Sequence, residues 1–382
     1  MSASSVATQK RVAARTFPLG TAFLVLLVLL GVAAAIVRYT QGLGASTNLR
    51  DDIPWGLWIG LDVMGGVALS AGGFSMAGVV YIFRLKRYYP LVRPALLTAF
   101  IGYLLAAGSI LFDLGRPERF YHPFIYWNPH SVMFEIAWSV ISYLTILTIE
   151  NSQLVAERFR IKWLLSLLRK ILIPVVILGI IISTMHQSSL GGLFLLMPQR
   201  LYPLWYTPFL PALFYLSAIL VGISMTIVES LLTASAFRRP PEMHLLRDLG
   251  LWAMWLLLAY LVLNLGLVFV SGKAALLFHP GVPTLTYWVE IGVGVIAPLI
   301  ILAQSRLRAS RVWLFRASAL VALGVVLNRF DVLFWGAGGV LYAPTWMEFA
   351  VTAGMISLGV LLFMFAVKHL PVLDQHAAGH EH

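Results

Sequence analysis

The sequence predicts an all-α integral membrane protein of about ten transmembrane helices, arranged as two four-helix bundles with flanking helices. Three observations carry the prediction. Hydrophobic residues fill 60% of the 382 positions and charged residues only 11%, against roughly 25% charged in an ordinary soluble domain. Mean hydropathy is +0.86. Stretches of about 20 apolar residues, the length needed to cross a hydrocarbon core, recur ten times and leave almost no soluble remainder.

In chain order the spans are 18–38, 55–83, 94–113, 131–150, 170–186, 209–232, 248–270, 286–304, 312–331 and 346–368. The first follows Lys10, Arg11 and Arg15 but is not followed by a small-residue cleavage pattern, so it reads as a retained helix. The second starts near Trp55, and its glycines at 65, 66, 72 and 73 permit close helix approach. The third ends in FDLGR, where Asp113 and Arg116 are placed for a local ion pair. The fourth opens with Ser131 as N-cap and Glu135 in the first turn, where the helix dipole favours an acid. The fifth meets the surface at His186, and the sixth carries Glu229 near its C-terminal end, where the dipole disfavours one. Glu290 and Glu348 repeat the first-turn placement of Glu135, and Asp331 closes the ninth span. The echo between SVMFEI and TYWVEI, four spans apart, hints at a parallel repeat of four helices. Residues 1–17 form a short N-terminal segment, 18–370 one membrane domain, and 371–382 a tail read as disordered.

Basic residues fix the expected orientation. All but seven of the 27 (Arg38, Arg50, Arg116, Arg119, Arg200, Lys273 and Arg329) fall on the face that holds the N-terminus. By the positive-inside rule both termini are expected in the cytoplasm, which for a bacterial protein means the inner membrane. The net charge of +11 then argues for contact with anionic lipid and against nucleic acid. The opposite face has the longer connections, rich in Trp, Tyr, Gly and Pro, which read as an aromatic belt and as a docking platform for a protein outside the membrane.

There is no cysteine, so no iron–sulfur cluster of the usual kind and no disulfide is expected. No metal site is expected. Of the nine histidines, His122 and His279 fall in loops, His130 and His186 at helix ends, His244 and His369 near the basic face, and His376, His380 and His382 in the tail. None is at mid-membrane, so a two-histidine haem is not expected, although a pairing of His130 with His186 is conceivable.

Carboxylates inside apolar spans cost several kcal/mol unless they have a partner or a task. Asp62, Asp113, Glu135, Glu229, Glu290, Asp331 and Glu348 all qualify, and together they describe a membrane protein that handles protons. Tyr103 lies ten residues before Asp113, roughly 15 Å deeper in the same helix, and its hydroxyl is able to pass a proton on. In TMHQSSLGGL (184–193), His186, Gln187 and two serines offer hydrogen bonds to a carbonyl while the paired glycines admit a flat ring. With Asp62, Asp113 and Glu135 on the same side, this reads as a pocket for a two-electron, two-proton carrier dissolved in the membrane.

The strings IPWGLWIGLD (53–62), YYPLVRPALL (88–97), FIGYLL (100–105), DLGR (113–116), NPHSVMFE (128–135), TMHQSSLGGL, YPLW (202–205) and APTWMEF (343–349) resemble the NrfD/polysulfide-reductase-C family of quinone-interacting membrane anchors, and within it the HybB-type subunits of nickel–iron hydrogenase 2. The resemblance runs from about residue 18 to 370. It implies ten helices without haem or iron–sulfur cluster, a periplasmic iron–sulfur partner with its hydrogenase or related oxidoreductase, and menaquinone or ubiquinone as electron carrier. It also implies a proton route through Tyr103, Glu135 and Glu229, with His186 and Asp113 near the quinone head group; the placement of the residues themselves adds Asp62 to the proton-transfer set and Gln187 and Arg116 to the quinone set. An ion- or proton-coupled secondary transporter is the alternative, favoured by helices broken at mid-membrane. A passive anchor with purely structural acids is a third reading.

Overall fold

The computed structural model describes residues 18–50, 53, 55–198, 201–335 and 342–373. Lys10, Arg11, Arg15, Arg200, His376, His380 and His382, which figured in the sequence reading, lie outside the described residues. Among the described residues, ten helices are long and apolar enough to cross a membrane: α1 (Leu19–Gln41), α2 (Trp58–Ile82), α3 (Lys86–Asp113), α4 (Val132–Arg158), α5 (Lys162–Leu195), α6 (Leu210–Ala236), α7 (Met243–Val270), α8 (Val282–Ala303), α9 (Arg311–Phe334) and α10 (Trp346–His369). The chain is an all-α, multi-pass membrane protein.

Helices α2 to α5 close into one four-helix ring and α6 to α9 into a second. The rings share a central seam in which α2 packs on α6, α5 on α6 and α9 on α2. Helices α1 and α10 pair with each other outside both rings, and α10 also lies along α3. Glycine makes the seam possible: a Cβ on Gly222 would stand 2.7–2.8 Å from the backbone of Ala71 and Gly72, so α6 touches α2 backbone to backbone. The same device joins α1 to α10, where a Cβ on Gly31 would stand 2.9 Å from the Ala350 carbonyl.

Helix α2 is not continuous. It runs as a π-helical segment over Trp58–Gly65, a short α-helix over Gly66–Leu69, a turn at 70–71, a second α-helix over Gly72–Ala77 and another π-helical segment over Gly78–Ile82. The break falls where Gly72 meets Gly222 of α6, and local backbone bonds such as Ala71 N–H to the Ala68 carbonyl (3.0 Å) span it. π-Helical turns often mark functional positions, and Asp62 sits in the first of these.

Several boundaries depart from hydropathy. Helix α5 has 34 residues and continues to Leu195, nine beyond the expected end at His186, so TMHQSSLGGL is helical throughout. The apolar face of α5 seats against α6 here, with Leu190, Leu193 and Phe194 all buried. Helix α3 starts at Lys86 and α4 runs on to Arg158, because charges at these ends are paired: Arg93 donates to both carboxylate oxygens of Glu157, at 2.9 and 2.7 Å. Finally, the residues at 371–373, assigned to the tail, are held by Arg93 to the Pro371 carbonyl (3.1 Å) and Arg239 to the Leu373 carbonyl (2.7 Å), with Val372 buried between.

Candidate functional site

A cavity of about 420 Å3 lies among α2, α3, α6 and α10. Its wall is apolar except for Asp62, Ser70, Thr98, Ser109, Glu229 and Thr233, so two carboxyls face a hydrophobic space. Leu232, Ile356 and Val360 line it and are also exposed on the outer surface of the bundle, so its mouth reaches the lipid. Asp62 accepts a hydrogen bond from the Thr352 hydroxyl at 2.8 Å. Glu229 has Thr98 of α3 as its polar neighbour, and its buried Oε1 has no hydrogen-bond partner among the described residues. A carboxyl held so loosely is free to exchange a proton. The volume falls within the range that encloses a small organic ligand.

On the other side of α3 a second polar group is enclosed by α3, α4 and α5. Tyr103, Tyr143, Ser183, His186 and Gln187 are all fully buried or nearly so. Tyr103 meets Tyr143 edge-on at 4.6 Å between ring centres and lies 5.8 Å from the His186 ring. The Gln187 amide donates to the Val67 carbonyl of α2 at 3.2 Å. Tyr103 has Ser183 and Gln187 as polar neighbours, and Tyr143 has Ser183 and the Phe74 backbone, whereas neither His186 nitrogen has a hydrogen-bond partner among the described residues. Buried polar atoms in such an arrangement serve as sites for internal water or a polar ligand.

The sequence reading therefore needs correction at His186. It lies inside the ring, level with Tyr103, because α5 does not end there. Asp113 is ten residues, about 15 Å, further along α3, so His186 and Asp113 do not form one pocket. Asp113 belongs to a separate cluster at the other end of α3, beside Arg38 and Glu348. Arg38 of α1 donates to the Phe112 and Leu114 carbonyls at 2.7 and 2.5 Å, capping the end of α3. Arg116 is exposed and does not pair with Asp113. Glu348 accepts from the Tyr342 hydroxyl (2.6 Å) and from the backbone N–H groups of Leu57 (3.3 Å) and Thr345 (2.9 Å). Burial, together with that bond to Glu348, holds the Tyr342 hydroxyl well above the ordinary tyrosine range.

Glu135 accepts a short hydrogen bond from Ser189 of α5, and Ser131 caps α4 as expected. The structure thus distributes the expected relay over two compartments. Asp62 and Glu229 share the cavity, Tyr103 and Gln187 share the enclosed group with His186, and Glu135 joins that group's helix one turn away. The backbone of α3 stands between the compartments, with Thr98 and Gly102 on the cavity side and Tyr103 on the other.

Sequence reasoning missed a network in the second ring. Glu290 accepts from the Trp205 indole (3.0 Å) and the Asn328 amide (2.9 Å). Arg329, counted at a surface by hydropathy, is fully buried and donates to the Asn328 amide oxygen, the Phe214 carbonyl and the Ser217 hydroxyl at 2.7, 3.1 and 2.9 Å. Asp331 lies against Glu290. The bond from Glu290 to Asn328 in α8–α9 parallels the bond between Glu135 and Ser189 in α4–α5, which supports the repeat. Glu150, the last residue of the expected fourth span, lies near Tyr81 and Tyr143. The available signal was a polar pair, Asn328–Arg329, inside an apolar run. His130, the second candidate for haem ligation, is exposed in the α3–α4 connection.

Comparison with known proteins places this architecture. A family model described as polysulphide reductase, NrfD, matches residues 45–340. The chain is 34% identical to a protein of Nitratidesulfovibrio vulgaris over 92% of this chain and 93% of that one. It is 31% identical to the probable Ni/Fe-hydrogenase 2 b-type cytochrome subunit of Escherichia coli, over 91% and 90%. It is 25% identical to the integral membrane subunit of menaquinone reductase of Nitratidesulfovibrio vulgaris, again over 91% and 90%. The family model covers most of the chain and the relatives match along almost its whole length, so the chain belongs to the NrfD family.

Proposed function

We propose that this chain is the quinone-interacting membrane subunit of a respiratory redox complex. It exchanges electrons between an iron–sulfur partner on the periplasmic face, most simply that of a nickel–iron hydrogenase, and the quinone pool of the bacterial inner membrane. The observation that carries the reading is the lipid-connected cavity of about 420 Å3 with Asp62 and Glu229 in an otherwise apolar wall. A quinone has a flat, largely apolar ring and two carbonyl oxygens. Its reduction takes two electrons from the partner and two protons, one for each oxygen, to give the quinol.

The apolar wall would hold the ring and exclude water, while Asp62 and Glu229 supply or accept protons at the carbonyl oxygens. Tyr103, His186, Gln187 and Glu135 offer a second set of exchangeable protons on the far side of α3. With both termini cytoplasmic, Glu229 lies on the cytoplasmic side of Asp62, so protons drawn through it toward the carrier move charge across part of the membrane. Asp113 and Arg116 mark the face on which the partner would sit.

Purification of the complex from its native membrane, followed by identification of co-purifying proteins and extraction of bound quinone, tests the reading. An iron–sulfur partner together with quinone is the expected result; a lone protein without quinone would sink it. The break in α2 is the one feature that favours an ion-coupled carrier, and that reading predicts solute uptake by the isolated chain in vesicles.

A further inference from the structure

We propose that the recess at the basic-face ends of α3 and α6 is the aqueous inlet through which protons reach Glu229, with Thr233 joining the recess to the cavity. The inference rests on the reading of Glu229 as a proton-transfer group. The recess holds about 100 Å3, and its polar lining includes Arg93, Ser230, Thr233, Arg239 and Glu242. Thr233 lines this recess and also the larger cavity that contains Glu229.

Helix geometry explains the connection. Thr233 follows Glu229 by four residues, so it lies on the same side of α6 one turn, about 6 Å, nearer the basic face. Ser230 is adjacent to Glu229 and faces the recess. A hydroxyl both donates and accepts hydrogen bonds, so Ser230 and Thr233 provide two proton-passing groups between the surface and a buried carboxyl whose Oε1 has no fixed partner. The proton balance is simple: water on the basic face loses a proton, hydroxyl hydrogen bonds relay it, and a Glu229 carboxylate oxygen gains it.

The rim of the inlet is set by the segment at 371–373. Arg93 engages Glu157 with two bonds and the Pro371 carbonyl with a third, Arg239 donates to the Leu373 carbonyl, and Val372 is 1% exposed. Both arginines that line the recess therefore hold this strap across its edge, and the strap narrows the opening without filling it.

The absence of cysteine allows a direct test on the assembled complex in membrane vesicles. Ser230→Cys and Thr233→Cys are treated from the basic face with a membrane-impermeant trimethylammonium thiosulfonate, and the mass shift of this subunit is followed. Val262→Cys, on the lipid-facing side of α7 at a position 62% exposed, is the control. Both recess positions should react about tenfold faster or more, because a thiol in apolar surroundings stays protonated and inert. A Thr233→Cys rate equal to the control in assembled complex overturns the inlet. Adding Arg239→Gln should raise the Thr233→Cys rate; an unchanged rate removes the strap from the proposal.

Turnover separates the inlet from the reading beneath it. Thr233→Val should slow quinone-coupled turnover by about tenfold, with Thr233→Ser restoring it to within about twofold. If Glu229→Gln abolishes turnover and Thr233→Val does not, the inlet alone falls. If Glu229→Gln is without effect, the role of Glu229 falls and the inlet with it.

Discussion

Glu229 and Glu348 are both acids in membrane-spanning α-helices, and their surroundings differ. Glu348 accepts three hydrogen bonds and completes a capping box with Thr345, so its carboxylate is fixed. Glu348→Ala should cost about 1–3 kcal/mol of stability by leaving the donors of Leu57, Thr345 and Tyr342 without an acceptor, measurable as a lowered Tm in detergent. Glu229 has one oxygen without a partner, so Glu229→Gln should leave assembly intact while lowering quinone turnover by about a hundredfold or more, the scale of general acid–base catalysis. Steady-state turnover of purified complex, beside size-exclusion of the same sample, checks both halves. Arg329 is a third case: its donors hold Asn328, Phe214 and Ser217 together. Arg329→Met should destabilise by about 3–5 kcal/mol, because the buried acid Glu290 would lose its neighbouring cation.

At the scale of elements, glycine decides which helices touch. A Cβ on Gly222 would press on the backbone of α2 at 2.7 Å, and backbone cannot step aside as a side chain can. Gly222→Ala should therefore destabilise by about 1–3 kcal/mol, the cost of overpacking, and displace the interrupted part of α2 that leads to Ser70 on the cavity wall. At Gly192 of α5 nothing lies within 4 Å of an added Cβ. Gly192→Ala should be neutral or stabilise by up to about 1 kcal/mol, since alanine has the better helix propensity. Thermal denaturation of the two variants side by side is the check, and equal behaviour would contradict the backbone contact at the seam.

For the molecule as a whole, the distribution of arginine and lysine makes a prediction about orientation. A phosphatase reporter fused after Arg160 should be inactive and one fused after Tyr126 active, since the first lies on the basic face and the second on the other. The reverse pattern would invert the membrane sidedness on which the proposed direction of proton uptake depends.

Much of this protein was legible in its sequence because the bilayer is a severe solvent. A span must be apolar for about 20 residues and must satisfy its backbone internally, so ten helices and the all-α class could be read directly. The expected first-turn echo of Glu135 in Glu290 did not hold, since α8 starts at Val282 and Glu290 lies deeper in it, yet each acid bonds the last helix of its own ring. The ends of α3, α4 and α5 were not legible, because charges such as Arg93 and Glu157 look like membrane boundaries until their pairing is seen. The site was legible as a set of residue types and not as a set of neighbours. Composition and spacing alone picked out Asp62, Glu229, Tyr103 and His186, but which of them share a space depends on the rotation of α3, a property no single helix has. Tertiary packing alone decided that α3 divides Tyr103 from Glu229, that His186 is enclosed, that Arg329 is buried, and that Thr233 touches two cavities at once. The physical reason is that hydropathy depends on each residue's own transfer free energy, whereas a site depends on which faces of different helices are turned toward each other.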